Sequence, residues 1–141
     1  MINRDSLINH PYRTINAAIA GSIFVIFLYS AVFSPEKSRH PIPSSHTLIT
    51  GEYTASNGLS RGFSAIMRLQ FDQARGYNIY SLRIFSFFFI QFFVRLVFLS
   101  ANYIILDIGE SRFAMLDAIL SGVLFLFLFE PFLLELIKSS L

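Results

Sequence analysis

Arg95 stands in a run of phenylalanine, leucine, valine and isoleucine, with Gln91 before it and Asn102 after it. At about 100° per residue these three fall within roughly 40° of one another on a helix, and Arg83 lies about 80° off the same stripe. A guanidinium in hydrocarbon is costly unless it faces protein or water and finds a partner. The acids able to serve are Asp117, Glu130 and Glu135. Arg83, Gln91, Arg95, Asn102, Asp117, Glu130 and Glu135 therefore read as one intramembrane polar network. If the runs holding Arg95 and Asp117 are antiparallel neighbours, Arg95 comes level with Gly122, and Asp117 lies about 7–8 Å from that level at 1.5 Å per residue. An arginine reaches most of that distance. The expected pairs are Arg95 with Asp117, and Arg83 with Glu130 or Glu135. The alternative is that Arg95 faces a partner subunit.

A second polar set precedes this one. Asn57, Arg61, Arg68, Arg75 and Asn78 are candidate contacts for lipid headgroups or for a partner. Arg61 and Arg68 fall on one helical face, and such groups bind anions without making or breaking bonds. Other chemistry has little to build on. The absence of cysteine excludes thiolate metal sites, thiol redox steps and disulfides. His10, His40 and His46 lie outside the apolar runs, and the loop holding His40 and His46 offers no clear further metal ligands. No His-Glu-x-x-His motif and no pair of intramembrane aspartates is present. The expectation is a non-enzyme with no catalytic, cofactor or metal residues.

The elements that position these residues follow from composition. The 141 residues are 54% hydrophobic and 14% charged, against roughly a quarter charged in soluble domains. This points to an integral membrane protein. Residues 14–33 carry no charge and suffice to cross a hydrocarbon core of about 30 Å. The run exceeds a signal-peptide core and lacks a small-x-small cleavage site, so it reads as a retained span. Residues 34–58 form a loop broken by Pro35, Pro41 and Pro43. In 59–78, apolar residues recur at Leu59, Phe63, Ile66 and Met67, a helical spacing. Ser56 or Asn57 is placed to cap that helix, and a second short helix ends at Gly76. Both pieces are too short and too charged to span. They fit an interfacial or re-entrant hairpin, with Phe63, Ile66, Leu69 and Phe71 in the acyl region and arginines at headgroup level. Residues 80–106 and 113–137 form the second and third spans, the latter kinked or ended near Pro131. The fold class is all-α, with three transmembrane helices and the hairpin between the first and second. Ala17 with Gly21, Ala18 with Ser22, and Ala114, Ala118 and Gly122 recur every four residues, a spacing that admits a neighbouring helix.

The segments Asn57-Gly58-Leu59-Ser60-Arg61-Gly62-Phe63, Leu69-Gln70-Phe71-Asp72-Gln73-Ala74 and Asn78-Ile79-Tyr80 resemble, in order and spacing, those of domain-of-unknown-function family 2752. That family of small bacterial membrane proteins carries Cys-Pro-x-Cys-Gly-Leu-Thr-Arg-Ala-Phe, then Gly-Asp-Phe-x-x-Ala, then Asn-Pro ahead of a transmembrane helix. The resemblance covers about residues 53–98. Thr54 and Asn57 fall at or near the motif cysteines, and Ile79 replaces the proline. Any thiol or metal role in the family is thus not open to this chain. The resemblance implies an architecture and no activity.

With three spans, the side holding the loop, the hairpin and the C-terminus carries Lys37, Arg39, Arg61, Arg68, Arg75 and Lys138, and the other carries Arg4, Arg13 and Arg112. The excess of positive charge favours a cytoplasmic loop and an N-terminus outside; the resemblance implies a bacterial inner membrane. The net charge of +2 is too small to argue for nucleic acid, the arginines are scattered among apolar residues, and no nucleic-acid partner is expected. The expected partners are membrane lipids and other membrane-protein subunits. The expected function is a non-catalytic accessory or structural subunit of a larger complex, packing through small-residue and phenylalanine-rich faces. Binding of lipid headgroups or a small amphiphile, or an oligomeric channel or transport role, is the alternative.

Overall fold

The computed structural model describes residues 11–36, 55–104 and 110–139. Among these, every regular element is helical: α1 (Pro11–Val32), α2 (Leu59–Ile66), α3 (Phe71–Tyr77), α4 (Ser81–Ile104) and α5 (Glu110–Ser139). Three helices are long and apolar enough to cross a membrane: α1, Ser81–Ser100 of α4, and Ala114–Lys138 of α5. His10, His40 and His46 lie outside the described residues, as do most of the proline-rich loop and the link before Glu110; the side chain of Asn102 is not described either.

The helices differ from the sequence boundaries by a few residues: α1 and α5 reach further at their N-terminal ends, while α4 is shorter than the range 80–106. α1 is helical from Pro11, the first described residue, and proline is tolerated in a first helical turn because its missing N–H costs no hydrogen bond there. It stops short of Ser34-Pro35 because the residue before a proline is pushed out of the helical region. α5 passes through Pro131 without ending there.

α1 and α5 each run antiparallel to α4 and pack against it. The phenylalanines of α4 are divided by face. Phe92 meets Phe24 and Phe27 of α1, Phe87 meets Phe125 and Phe129 of α5, and Phe85 and Phe88 meet Phe63 of α2. Phe89 and Phe93 point outward. The buried core gathers Phe63, Ala65, Ile66, Ala74, Ile84 and Phe85 at the hairpin end of the bundle.

The hairpin closes tightly. The Leu69 N–H donates to the Ile66 carbonyl at 2.9 Å and the Gln70 N–H to the Ala65 carbonyl at 2.9 Å, the Schellman pattern that ends many helices. Its left-handed position is ordinarily glycine, yet here it is Leu69, at φ 60°. Leu69 is 76% exposed, so the strained position carries an outward apolar side chain. Phe63 and Ile66, expected beside it in the acyl region, are instead buried in the protein core. Met67, Leu69, Phe71 and Ile79 form the exposed apolar surface of the hairpin.

Candidate functional site

Of the polar set singled out in the sequence, Arg61, Arg68 and Asn78 hold the hairpin to its neighbours. Gly58, not Ser56 or Asn57, precedes α2, and no side chain caps the helix. Its φ of 81° is left-handed, and an added Cβ would lie 2.3 Å from the Tyr77 carbonyl oxygen. Only glycine fits both constraints. Asn78 fastens the same crossing. Its Nδ2 donates to the Ala55 and Asn57 carbonyls at 2.7 and 2.8 Å, and its Oδ1 accepts from the Tyr80 N–H at 2.8 Å. Gly62 admits the Ser81 side chain, which would meet an added Cβ at 2.6 Å or less. This close approach lets α2 rest on the first turn of α4.

The arginines act on α1. Arg68 donates from Nη1 to the Ser30 carbonyl at 3.1 Å and from Nη2 to the Ala31 carbonyl at 3.0 Å. These carbonyls belong to the last turn of α1, where no intrahelical donor remains and the dipole is negative. Arg68 Nη1 also donates to the Ser64 carbonyl at 2.8 Å. Arg61 Nε donates to the Pro35 carbonyl at 2.9 Å, and its guanidinium sits 4.2 Å from the Tyr77 ring centroid. Both groups, candidates for headgroups, thus hold a helix end and the chain leaving it. Arg75 is exposed. Replacing Arg68 with alanine should remove all three bonds and destabilise the protein by about 1.5–3 kcal/mol, the range for hydrogen bonds to a charged group. Thermal unfolding in detergent reads the loss, and faster amide exchange in α2 localises it.

The second cluster is Arg95 and its partners. Arg95 is 6% exposed and Asp117 5%, and the two form an ion pair through Nη1 and Oδ2. Nη1 also donates to Asn16 Oδ1 at 2.8 Å, while Nη2 donates to Gln91 Oε1 and Ser121 Oγ, each at 3.0 Å. Asp117 accepts further bonds from the Tyr12 hydroxyl at 3.0 Å and from Ser121 Oγ at 3.2 Å. The guanidinium thus ties α1, α4 and α5 together. A buried pair needs its remaining donors and lone pairs satisfied, and this shell supplies most of them. Arg95 Nε and Gln91 Nε2 are the exceptions, buried with no hydrogen-bond partner among the described residues.

Comparison of the chain with family models, curated proteins and solved structures finds no match.

The remaining candidates are not drawn into the cluster. Arg83 and Glu130 are exposed, and no bond among the described residues joins Arg83 to Glu130 or Glu135. Glu135 instead accepts from the Tyr80 hydroxyl. That bond raises the Tyr80 pKa above its usual 10.0, because ionisation would set a phenolate against a carboxylate. Tyr80 lies just ahead of α4, outside the apolar span. Asn16, Tyr12 and Ser121 were not singled out from sequence. Asn16 alone left a signal, as the single carboxamide in the first apolar run.

Beside the Arg95 cluster runs an open groove of about 400 Å³. Ala18, Ile19, Ser22, Ile23 and Ile26 of α1 form one wall, and Phe87, Phe88, Gln91 and Arg95 of α4 with Ser121 of α5 form the rest. Ala17 and Gly21 are also exposed but lie off this groove.

Proposed function

We propose that the protein is a non-catalytic accessory subunit of a larger membrane complex, docking other membrane helices through the small-residue faces of α1 and α5. One observation carries this reading. A Cβ added at Gly21 or at Gly122 would meet nothing within 4 Å, so both close-approach faces point away from the chain's own core. Ala17 and Ala118, their partners at helical spacing, are exposed as well. In lipid, where the hydrophobic effect does not drive helices together, small residues favour association by letting backbones come close. The Arg95 and Asp117 charges are neutralised by each other inside the chain, so neither charge is left to hold an outside ion.

In this reading the hairpin lies at the membrane interface. Met67, Leu69, Phe71 and Ile79 dip into the acyl region, and Arg75 stays at headgroup level, as amphipathic interfacial helices do. The N-terminus faces outside and the hairpin faces the cytoplasm, following the charge bias between the two sides; a bacterial inner membrane rests on the family resemblance alone.

The test is extraction from native membranes in mild detergent. A stoichiometric partner should co-migrate with the wild type. Gly21→Leu and Gly122→Leu should each reduce the co-migrating partner at least about tenfold, a loss of about 1.4 kcal/mol, with helical content and melting unchanged. Undiminished co-migration in both variants contradicts the proposal.

A further inference from the structure

We infer that the groove between α1 and α4 is a binding site for a neutral, hydrocarbon-dissolved carbonyl compound, a quinone or long-chain ester, whose oxygen accepts from Gln91 Nε2. The site is separate from the faces at Gly21 and Gly122 and does not depend on the subunit reading.

Three observations converge on it. The first is an unspent donor. Gln91 is 4% exposed, and its Oε1 accepts from Arg95 Nη2 at 3.0 Å. This fixes the orientation of the amide and turns Nε2 away from the cluster, where it has no acceptor among the described residues. Arg95 Nε also lacks one. A buried donor without an acceptor carries an uncompensated desolvation cost, which an arriving oxygen offsets. The second is space. Gln91, Arg95 and Ser121 line a groove of about 400 Å³ whose other walls are almost wholly apolar. Small-molecule pockets of about 300–1,000 Å³ combine apolar walls with a few placed polar groups in the same way.

The third is charge and depth, which together select the ligand. The Arg95 charge is cancelled by Asp117 beside it, so the floor offers N–H donors without a net positive charge. An anion would gain little there against its cost of entering hydrocarbon, whereas a neutral carbonyl loses almost nothing. Gln91 lies ten residues into α4 from Ser81, about 15 Å along the axis. That is half of a core about 30 Å thick. The ester carbonyls of phospholipids are held near the headgroups and do not reach that level. A molecule free of a charged headgroup does.

The test uses the full chain in nanodiscs. Two ¹³C-carbonyl probes are titrated in separate arms, a decyl-tailed benzoquinone and dioleoylglycerol. One of them should bind saturably, with its infrared carbonyl stretch shifted to lower frequency by hydrogen bonding, and the arm that responds tells the ring from the ester. Gln91→Leu should weaken binding about 2- to 10-fold, the range for one net hydrogen bond. Because Gln91 also braces Arg95, Ala18→Phe provides a second variant. It fills the groove from the α1 wall without touching the cluster, and should abolish saturable binding with melting unchanged. Failure of both probes to bind saturably overturns the inference. So does binding that survives Ala18→Phe, or a native partner helix cross-linked through Ser22.

Discussion

Asp117→Asn should destabilise the protein by about 3–5 kcal/mol, the cost of breaking a buried ion pair by removing one charge. The substitution keeps the shape of the side chain and one acceptor oxygen. It leaves the Arg95 guanidinium, 6% exposed, with only neutral partners: Asn16, Gln91 and Ser121. Tyr12 loses its carboxylate acceptor at the same time, so the contact between the start of α1 and the start of α5 loosens. Removing both charges separates the effects. Arg95→Met with Asp117→Leu takes away the cost of desolvation together with the attraction, and should leave stability near that of the wild type. Unfolding in detergent of Arg95→Met, Asp117→Leu and the double variant closes the cycle. An Asp117→Asn protein as stable as the wild type would mean that the Arg95 charge is compensated from outside the chain.

Gly58→Ala should be the most damaging change in the hairpin, at about 2–5 kcal/mol. About 1–2 comes from holding a residue with a Cβ at a left-handed φ, and about 1–3 from forcing packed atoms apart. The atom in the way is the Tyr77 carbonyl oxygen, 2.3 Å from the new Cβ. It is backbone and cannot rotate aside. Tyr77 must move, and it carries Asn78, whose side chain holds Ala55 and Asn57. The Arg61 contact with the Tyr77 ring is disturbed by the same shift. Gly76→Ala is the control. A Cβ there meets nothing within 4 Å, and replacing a helical glycine by alanine should stabilise by about 0.5–1 kcal/mol. Melting temperatures of the two variants should therefore move in opposite directions.

The division between what could be read from the chain and what could not follows from range. Three helices long and apolar enough to cross a membrane were legible because hydrocarbon thickness sets a length and excludes charge, and both appear in a run of letters. The hairpin was legible from the 3.6-residue spacing of Leu59, Phe63 and Ile66. Its exposure pattern was not, because burial of Phe63 depends on Phe85 and Phe88 of a helix still to come. Arg95 announced itself by cost, and the antiparallel register put Asp117 within reach. Asn16 and Tyr12 join the cluster from far along the chain, and no spacing rule links them to Arg95. Arg61 and Arg68 offered two physical readings, headgroup or helix end. Only the position of the last turn of α1 favours the second, and carbonyl groups leave no mark in a side-chain pattern. Leu69 shows the limit most plainly: its left-handed backbone would have been read as glycine.

The most direct measurement of the subunit proposal exploits the absence of cysteine from the chain. Gly122→Cys adds a single thiol on the outward face of α5, where a benzophenone maleimide can be attached in native membranes and irradiated. A single adduct with a different membrane polypeptide, in yield comparable to the labelled chain, is the predicted result. Adducts with lipid alone, or with a second copy of this chain alone, would contradict it.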